Sequence, residues 1–285
     1  MAITVGSNIQ SINAQRRLNT TSESLSRVYQ RLSSGQRINS AADDAAGLTI
    51  ADKLRSDQKV AGVAIRNAND GISLINIADG ALEQIGNVLS RLAELAAQSS
   101  NGVYSTTQRS ALDSEFGALG SEIERIANTT TFNGVALLSG GGQTVLQVGF
   151  DSQTNSSITL RSVTGTLQGL GLGTASGAQV YSLNGTTATA GQSAARIALD
   201  AVNLAIGSLA SLRGNLGAAE SRLRVTLQNI ATSRENFAAA ESRIRDTDVA
   251  ADAAELTRLN ILQQAGSAIL AQANQQPSLA LSLLR

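Results

Sequence analysis

The residues best suited to chemistry are two groups of carboxylates, Asp43-Asp44 and Asp246-Thr247-Asp248. Paired acids act as general acid and base when a pocket drives their pKa values apart. Acids in short polar runs are more often found at helix N-termini, where they accept from free backbone N–H groups and complement the dipole. The helix-start reading is the one favoured. The chain has no histidine, cysteine or tryptophan. That excludes Ser-His-Asp and Cys-His catalysis, disulfides and thiolate or imidazole zinc sites, and it leaves only all-oxygen sites for Mg²⁺ or Ca²⁺. No enzyme activity, catalytic residue, metal or cofactor is expected. Arg27, Tyr29 and Arg31 make a basic patch with one aromatic. A lone tyrosine gives little stacking, and 22 Lys+Arg against 22 Asp+Glu give no net charge. Contact with other protein segments is expected there, not with nucleic acid.

The elements that must position these groups are helices. One proline in 285 residues, with 2% aromatics and 42% hydrophobics, suits long helices better than a globular core. Val202, Leu209, Leu216, Leu223, Ile230, Phe237 and Ile244 recur every seven residues and predict an intrachain seam. Ile75, Ala78, Leu82, Ile85, Leu89, Leu92 and Ala96 alternate steps of three and four, as do Leu112, Phe116, Leu119, Ile123 and Ile126. Ser105 with Gln108 fits a capping box, and Asn101-Gly102 fits a helix stop. A rod is expected. No uninterrupted run of 18 apolar residues exists, so no membrane insertion is expected.

Between residues 126 and 195 the charged residues are Asp151 and Arg161 alone, and glycine is concentrated there. Asn133-Gly134, Gly140-Gly141-Gly142 and Asn184-Gly185 are turn signals. Val145–Val148 and Ser157–Leu160 are candidate strands of a hairpin. The fold class expected is therefore mainly α: an elongated coiled-coil bundle built from both ends of the chain, with a small β region in the middle.

The two ends differ in charge. Arg16, Arg17, Arg27, Arg31 and Arg37 face only Glu23 on the N-terminal arm, while Asp246, Asp248, Asp252 and Glu255 outnumber Arg258 and Arg285 on the C-terminal one. Thr20 to Glu23 fits an internal capping box. Ile9, Ile12, Leu18, Leu25 and Leu32 line the first arm; Leu256, Leu259, Leu262, Ile269 and Leu270 line the second. The arms are expected to pair, and to be weakly ordered until further apolar surface is covered.

At this point the residues resemble a known family. Gly47–Ser56, Arg66–Ser73 and Thr131-Phe132-Asn133-Gly134 resemble bacterial flagellin, as do Ile261–Gly266, Leu270–Asn274 and the terminal Leu281–Arg285 run. The resemblance spans roughly residues 1–165 and 195–285. It implies a structural subunit that self-assembles into the flagellar filament for motility. The implied domains are an inner helical arm domain (1–42 and 246–285), a helical rod domain with a β-hairpin (43–165 and 192–245), and a short Gly/Ser/Thr-rich loop (166–191) where relatives insert outer domains. It also implies export through a dedicated apparatus to an extracellular filament. Met1-Ala2-Ile3-Thr4 has neither a basic n-region nor an apolar h-region, in keeping with export without a cleaved signal peptide. Implied partners are further copies of the chain, an export chaperone on the C-terminal arm, filament cap and junction proteins, and a vertebrate innate-immune receptor. Alternatives are the hook–filament junction protein and a soluble coiled-coil adaptor; the Ile261–Gly266 and Leu281–Arg285 motifs favour flagellin.

Arg91–Gln98 is similar to the stretch that the receptor detects in many flagellins, with Ser90 in place of a glutamine and Ala93 in place of an arginine. Leu89, Arg91, Leu95, Gln98 and Glu122 are the expected receptor or intersubunit surface, with Glu122 as the acidic partner on the next helix. Contact with a neighbouring subunit is taken as the primary role of Arg91 and Leu95.

Overall fold

The structure is a computed structural model that describes residues 7–140, 142–151, 153–161 and 163–283, with side chains described up to residue 275. Met1–Thr4, Gly141 of the glycine turn, the side chains of Leu281–Leu283, and Leu284-Arg285 lie outside the described residues. In chain order the elements are α1 (Ile9–Ser34), α2 (Ala45–Ser99), α3 (Thr106–Thr129), β1 (Thr131–Phe132), β2 (Val135–Ala136), β3 (Thr144–Gln147), β4 (Ser157–Leu160), α4 (Ala188–Arg245) and α5 (Val249–Leu283). The chain divides into two compact units: residues 1–58 with 235–285, and residues 59–234. Among the described residues the architecture is mainly α, with two small antiparallel strand pairs.

The second unit holds the larger core. Every predicted seam residue of α2, from Ile75 to Ala96, is buried, and so are Phe116 and Ile123 of α3. Along α4, Val202, Leu209, Leu216, Leu223 and Ile230 are buried in the same cluster. Phe237 and Ile244 fall in the other unit and are half-buried. Arg213 of α4 forms a two-pronged ion pair with Asp79 of α2, at 2.7 and 3.0 Å. The guanidinium beside it holds the Asp79 carboxyl below the usual carboxylate range. At α3 the capping box is complete: the Ser105 hydroxyl accepts from Gln108 N, and the Gln108 side chain accepts from Ser105 N. α2 stops at Ser99, just before Asn101-Gly102.

The middle of the chain is the part that periodicity could not describe. β1 and β2 are joined by Asn133-Gly134, both at positive φ (49° and 79°), the conformation a two-residue hairpin turn demands. β3 pairs with β4 in the register Val145↔Thr159 and Leu146↔Ile158. The Gly/Ser/Thr-rich stretch after β4 buries Leu167, Leu170, Leu172 and Leu183 into the helical core. Two acids of α3 hold it by its backbone: Leu167 N donates to Glu124 at 3.1 Å and Leu183 N to Asp113 at 2.6 Å. Arg109 is fully buried near this stretch; its Nη2 donates to the Asn101 carbonyl at 2.8 Å, and its Nε has no partner among the described residues.

In the first unit α1 packs along α5. The N-cap of α1 is Asn8, whose side chain accepts from Ser11 N, and the helix ends on Gly35 in the left-handed conformation, φ 70°. The expected capping box at Thr20 and Glu23 is corrected: both lie inside an unbroken helix, and the Thr20 hydroxyl donates to the Arg17 carbonyl instead. Leu25, Val28 and Leu259 form a small core of their own.

Candidate functional site

The carboxylate groups come first, because their surroundings decide between chemistry and structure. The Asp44 side chain accepts from Gly47 N at 2.8 Å, capping the start of α2. Asp248 accepts from Ala250 N and Ala251 N at 2.9 and 3.1 Å, capping α5. Asp43 accepts from Asn39 N and from both the backbone and hydroxyl of Ser40. Those donors, Ser40 foremost, hold its carboxyl below the usual range. Asp246 accepts from Ser242. Each acid completes a local backbone or hydroxyl network. Among the described residues no cluster of acids is arranged to hold a metal ion.

Two surfaces remain. On the first unit, the ends of the chain are tied at one point. Gln36 and Asp246 form an antiparallel bridge, Arg37 N donates to the Arg245 carbonyl at 2.6 Å, and Thr247 N donates to the Gly35 carbonyl at 3.1 Å. The Arg37 guanidinium reaches the Ile244 carbonyl, and Arg245 Nε reaches Gln36. One turn away, Arg31 grips Asp252 through both carboxylate oxygens at 2.7 and 3.1 Å, with Thr247 donating to the same carboxylate. Arg31 first, and Thr247 second, keep the Asp252 carboxyl below its ordinary range. This ion pair joins the basic arm to the acidic one. At the far end Asn8 donates to the Ala273 carbonyl and Ser11 to Asn274.

Pairing covers only part of the arms' apolar surface. Leu25 and Leu259 are buried, while Leu18, Leu32, Leu256 and Leu270 are half-buried. Ile9 and Ile12 stay 60% exposed, Ile269 61% and Leu262 44%, and Val249 and Ile261 are exposed as well. The residues expected to line one assembly surface thus split in two. One set closes α1 on α5, and the other faces outward.

On the second unit, Arg91 and Gln98 are exposed and Glu122 is half-exposed. Leu89 and Leu95, expected on the same surface, are corrected: both are fully buried in the core. α2 packs against more than one helix, so its buried arc is wider than a single stripe and takes in Leu95. A second correction concerns the acid opposite Arg91. Arg91 pairs with Glu115 of α3 through Nε and Nη2 at 3.0 and 2.8 Å, and with Glu94 at 2.9 Å. These partners, Glu115 foremost, stabilise its protonated form further. Glu122 pairs instead with Arg125 on its own helix. Glu115 and Glu122 are one heptad apart on one face of α3, so spacing alone could not choose between them. Both arginines and Glu122 line a shallow groove between α2 and α3, floored by Ala81, Val88, Leu119 and Ile126.

Residues 5–143 match the family model described as the bacterial flagellin N-terminal helical region, and residues 199–284 match its C-terminal counterpart. A flagellin of Halalkalibacterium halodurans is 41% identical over 282 residues, covering 99% of both chains. A flagellin of Bacillus subtilis is 38% identical over 302 residues, again covering 99% of both. A solved structure described as a flagellar hook-associated protein from Vibrio parahaemolyticus matches with a TM-score of 0.57 at 15% identity, over 72% of this chain and 100% of that one. That last likeness is one of fold alone.

Proposed function

This chain belongs to the bacterial flagellins, and from that premise we propose how its parts divide the work of a filament subunit. It is a structural subunit of the extracellular flagellar filament, it assembles with copies of itself, and its role is motility. The observation that carries the division of labour is the outward-facing set on the paired arms. Ile9, Ile12, Leu262 and Ile269 are large aliphatics left in water by α1–α5 pairing. Burying each is worth roughly 1.5–3 kcal/mol, so neighbouring copies gain by covering them. Residues 1–42 and 246–285 are assigned to the inner arm domain. Residues 43–165 and 192–245 are assigned to the surrounding helical domain, with Val202 through Ile230 as its intrachain seam. Residues 166–191 stand where relatives carry outer domains.

Arg91, Gln98 and Glu122 are assigned to an intersubunit surface that also serves as the receptor's contact. The exposed apolar face of α5 suits an export chaperone, and filament cap and junction proteins meet the same arms. Seeding purified full-length chain onto filament fragments tests the central assignment. Ile12→Asp and Ile269→Asp are expected to abolish elongation while α2–α4 stay folded. Normal elongation by both variants would overturn the arm assignment.

A further inference from the structure

Two shallow grooves of the second unit match their arginines with acids. Between α2 and α3, Arg91 and Arg125 stand with Glu122; between α2 and α4, Arg213 stands with Asp79 and Glu220. The cavity between the end of β4 and α4 differs. It holds about 310 Å³, near the lower end of the range for small-molecule sites. Arg161 lines it from the strand side and Arg222 from the helix side, and no Asp or Glu lines it. Neither arginine forms an ion pair among the described residues. Arg161 also borders a cleft of about 20 Å³ whose lining again holds no acid.

Helix and strand periods give the cavity an apolar floor and a polar rim. On α4, Leu212, Leu216 and Ala219 follow at steps of four and three and share one face, buried or half-buried. Asn215, Ala218 and Arg222 follow at steps of three and four on the flank beside it, and all are exposed. On the strand side Leu160 and Val163 are buried, while Thr159 and Arg161, two apart, are exposed. A neutral apolar molecule would leave both guanidiniums unused, and a bare inorganic anion would leave the floor wet. An anion with an apolar body satisfies both. A guanidinium donates two parallel N–H bonds to an oxyanion, and the body displaces water from Leu212 and Ala219.

We propose that the cavity between β4 and α4 binds a small anionic amphiphile, a carboxylate or phosphate ester with a short apolar body, its head held between Arg161 and Arg222. The site goes beyond the filament reading and does not depend on it. Calorimetric titration of the full-length protein tests it. The probes are octyl phosphate and octanoate below their micelle concentrations, and the controls are octanol and inorganic phosphate. Both amphiphilic anions are expected to bind at one site per chain, and their difference reports which head group fits better. Arg161→Gln and Arg222→Gln are each expected to weaken binding about tenfold, with an unchanged urea melt, since both side chains are exposed. Ala218→Phe, which fills the mouth of the cavity, is expected to abolish binding.

α4 contains a window apolar enough, by length and composition, to cross a membrane, so an alkyl chain alone has another place to go. Octanol tests that route, and octanol binding as tightly as the anions would overturn the proposal. So would inorganic phosphate binding as tightly as octyl phosphate, or arginine variants that bind like the unsubstituted chain. A second readout needs no variant. Phenylglyoxal modifies exposed arginines, and octyl phosphate is expected to shield Arg161 and Arg222 while Arg234, exposed further along α4, stays reactive. Shielding of neither, or equal shielding of Arg234, would place the anion elsewhere and overturn the assignment.

Discussion

The two units use the same kind of helix for opposite ends. α2, α3 and α4 turn their periodic leucines inward and bury a continuous core that runs from Ala61 to Ile230 in sequence. α1 and α5 follow a similar rhythm, but among the described residues their buried cluster is Leu25, Val28 and Leu259, with Ile9, Ile12 and Ile269 left in water. The first arrangement folds a chain. The second prepares a chain to be completed by its neighbours. Hydrophobic period therefore reports that a helix has a partner, and burial reports whether the partner is in the same chain.

The largest expected effect that would break this contrast is a truncation. Removing Leu256–Arg285 deletes most of α5, and should abolish filaments and chaperone capture while the melting transition of α2–α4 persists. A truncated chain that still polymerises would show that the arms are dispensable. Next come core substitutions. Leu223→Ala, at a fully buried position, should lower the stability of the second unit by about 2–5 kcal/mol in urea unfolding. Leu25→Ala should leave that transition in place and instead accelerate amide exchange in α1 and α5. Equal effects on both units would mean that they unfold as one, and the contrast would dissolve.

A smaller effect concerns the ion pair between the arms. The Asp252 carboxyl is held down by Arg31 and Thr247, so its folded-state pKa lies below the unfolded value. The stability it supplies is full above the unfolded pKa and fades as pH falls through the folded one. Arm helicity should thus weaken in acid, and Asp252→Asn should remove that part of the pH dependence. Arg91→Ala is the smallest. Its pairs with Glu94 and Glu115 are solvent-exposed, and monomer stability should change by no more than about 0.5 kcal/mol. A larger loss would place Arg91 in the fold and not on an assembly face.

Much of this was legible in the sequence because coiled-coil spacing is a direct image of burial. The α4 seam from Val202 to Ile230, the Ser105 cap, the Asn133-Gly134 turn and the β3–β4 hairpin were all readable from residue type and spacing. What escaped reading was set by packing between segments. Leu95 lies four residues after an exposed arginine, yet it is fully buried in the core. Leu167, Leu170, Leu172 and Leu183 follow no period, since an irregular backbone carries them into the core. Arg109 looked like any surface arginine; nothing in its neighbours announced that its guanidinium would be enclosed. Glu115 differs from Glu122 only by which of two equivalent turns meets Arg91.

The tie between Gly35–Arg37 and Ile244–Thr247 has a consequence for the order of events during folding. It joins residues about 210 positions apart, such as Gln36 and Asp246. Closing a flexible loop of that length costs on the order of 5 kcal/mol in chain entropy before any contact repays it. Pairing α2 with α4 first removes most of that slack, because their packed ends shorten the loop still open. The tie is thus a late event, and its last strand of information lies in the final forty residues of the chain. A copy whose C-terminal segment has not yet emerged, or is held by another protein, can fold its core and still keep its arms apart. Arm closure is in this sense a completion signal, given only by a chain that is whole and free.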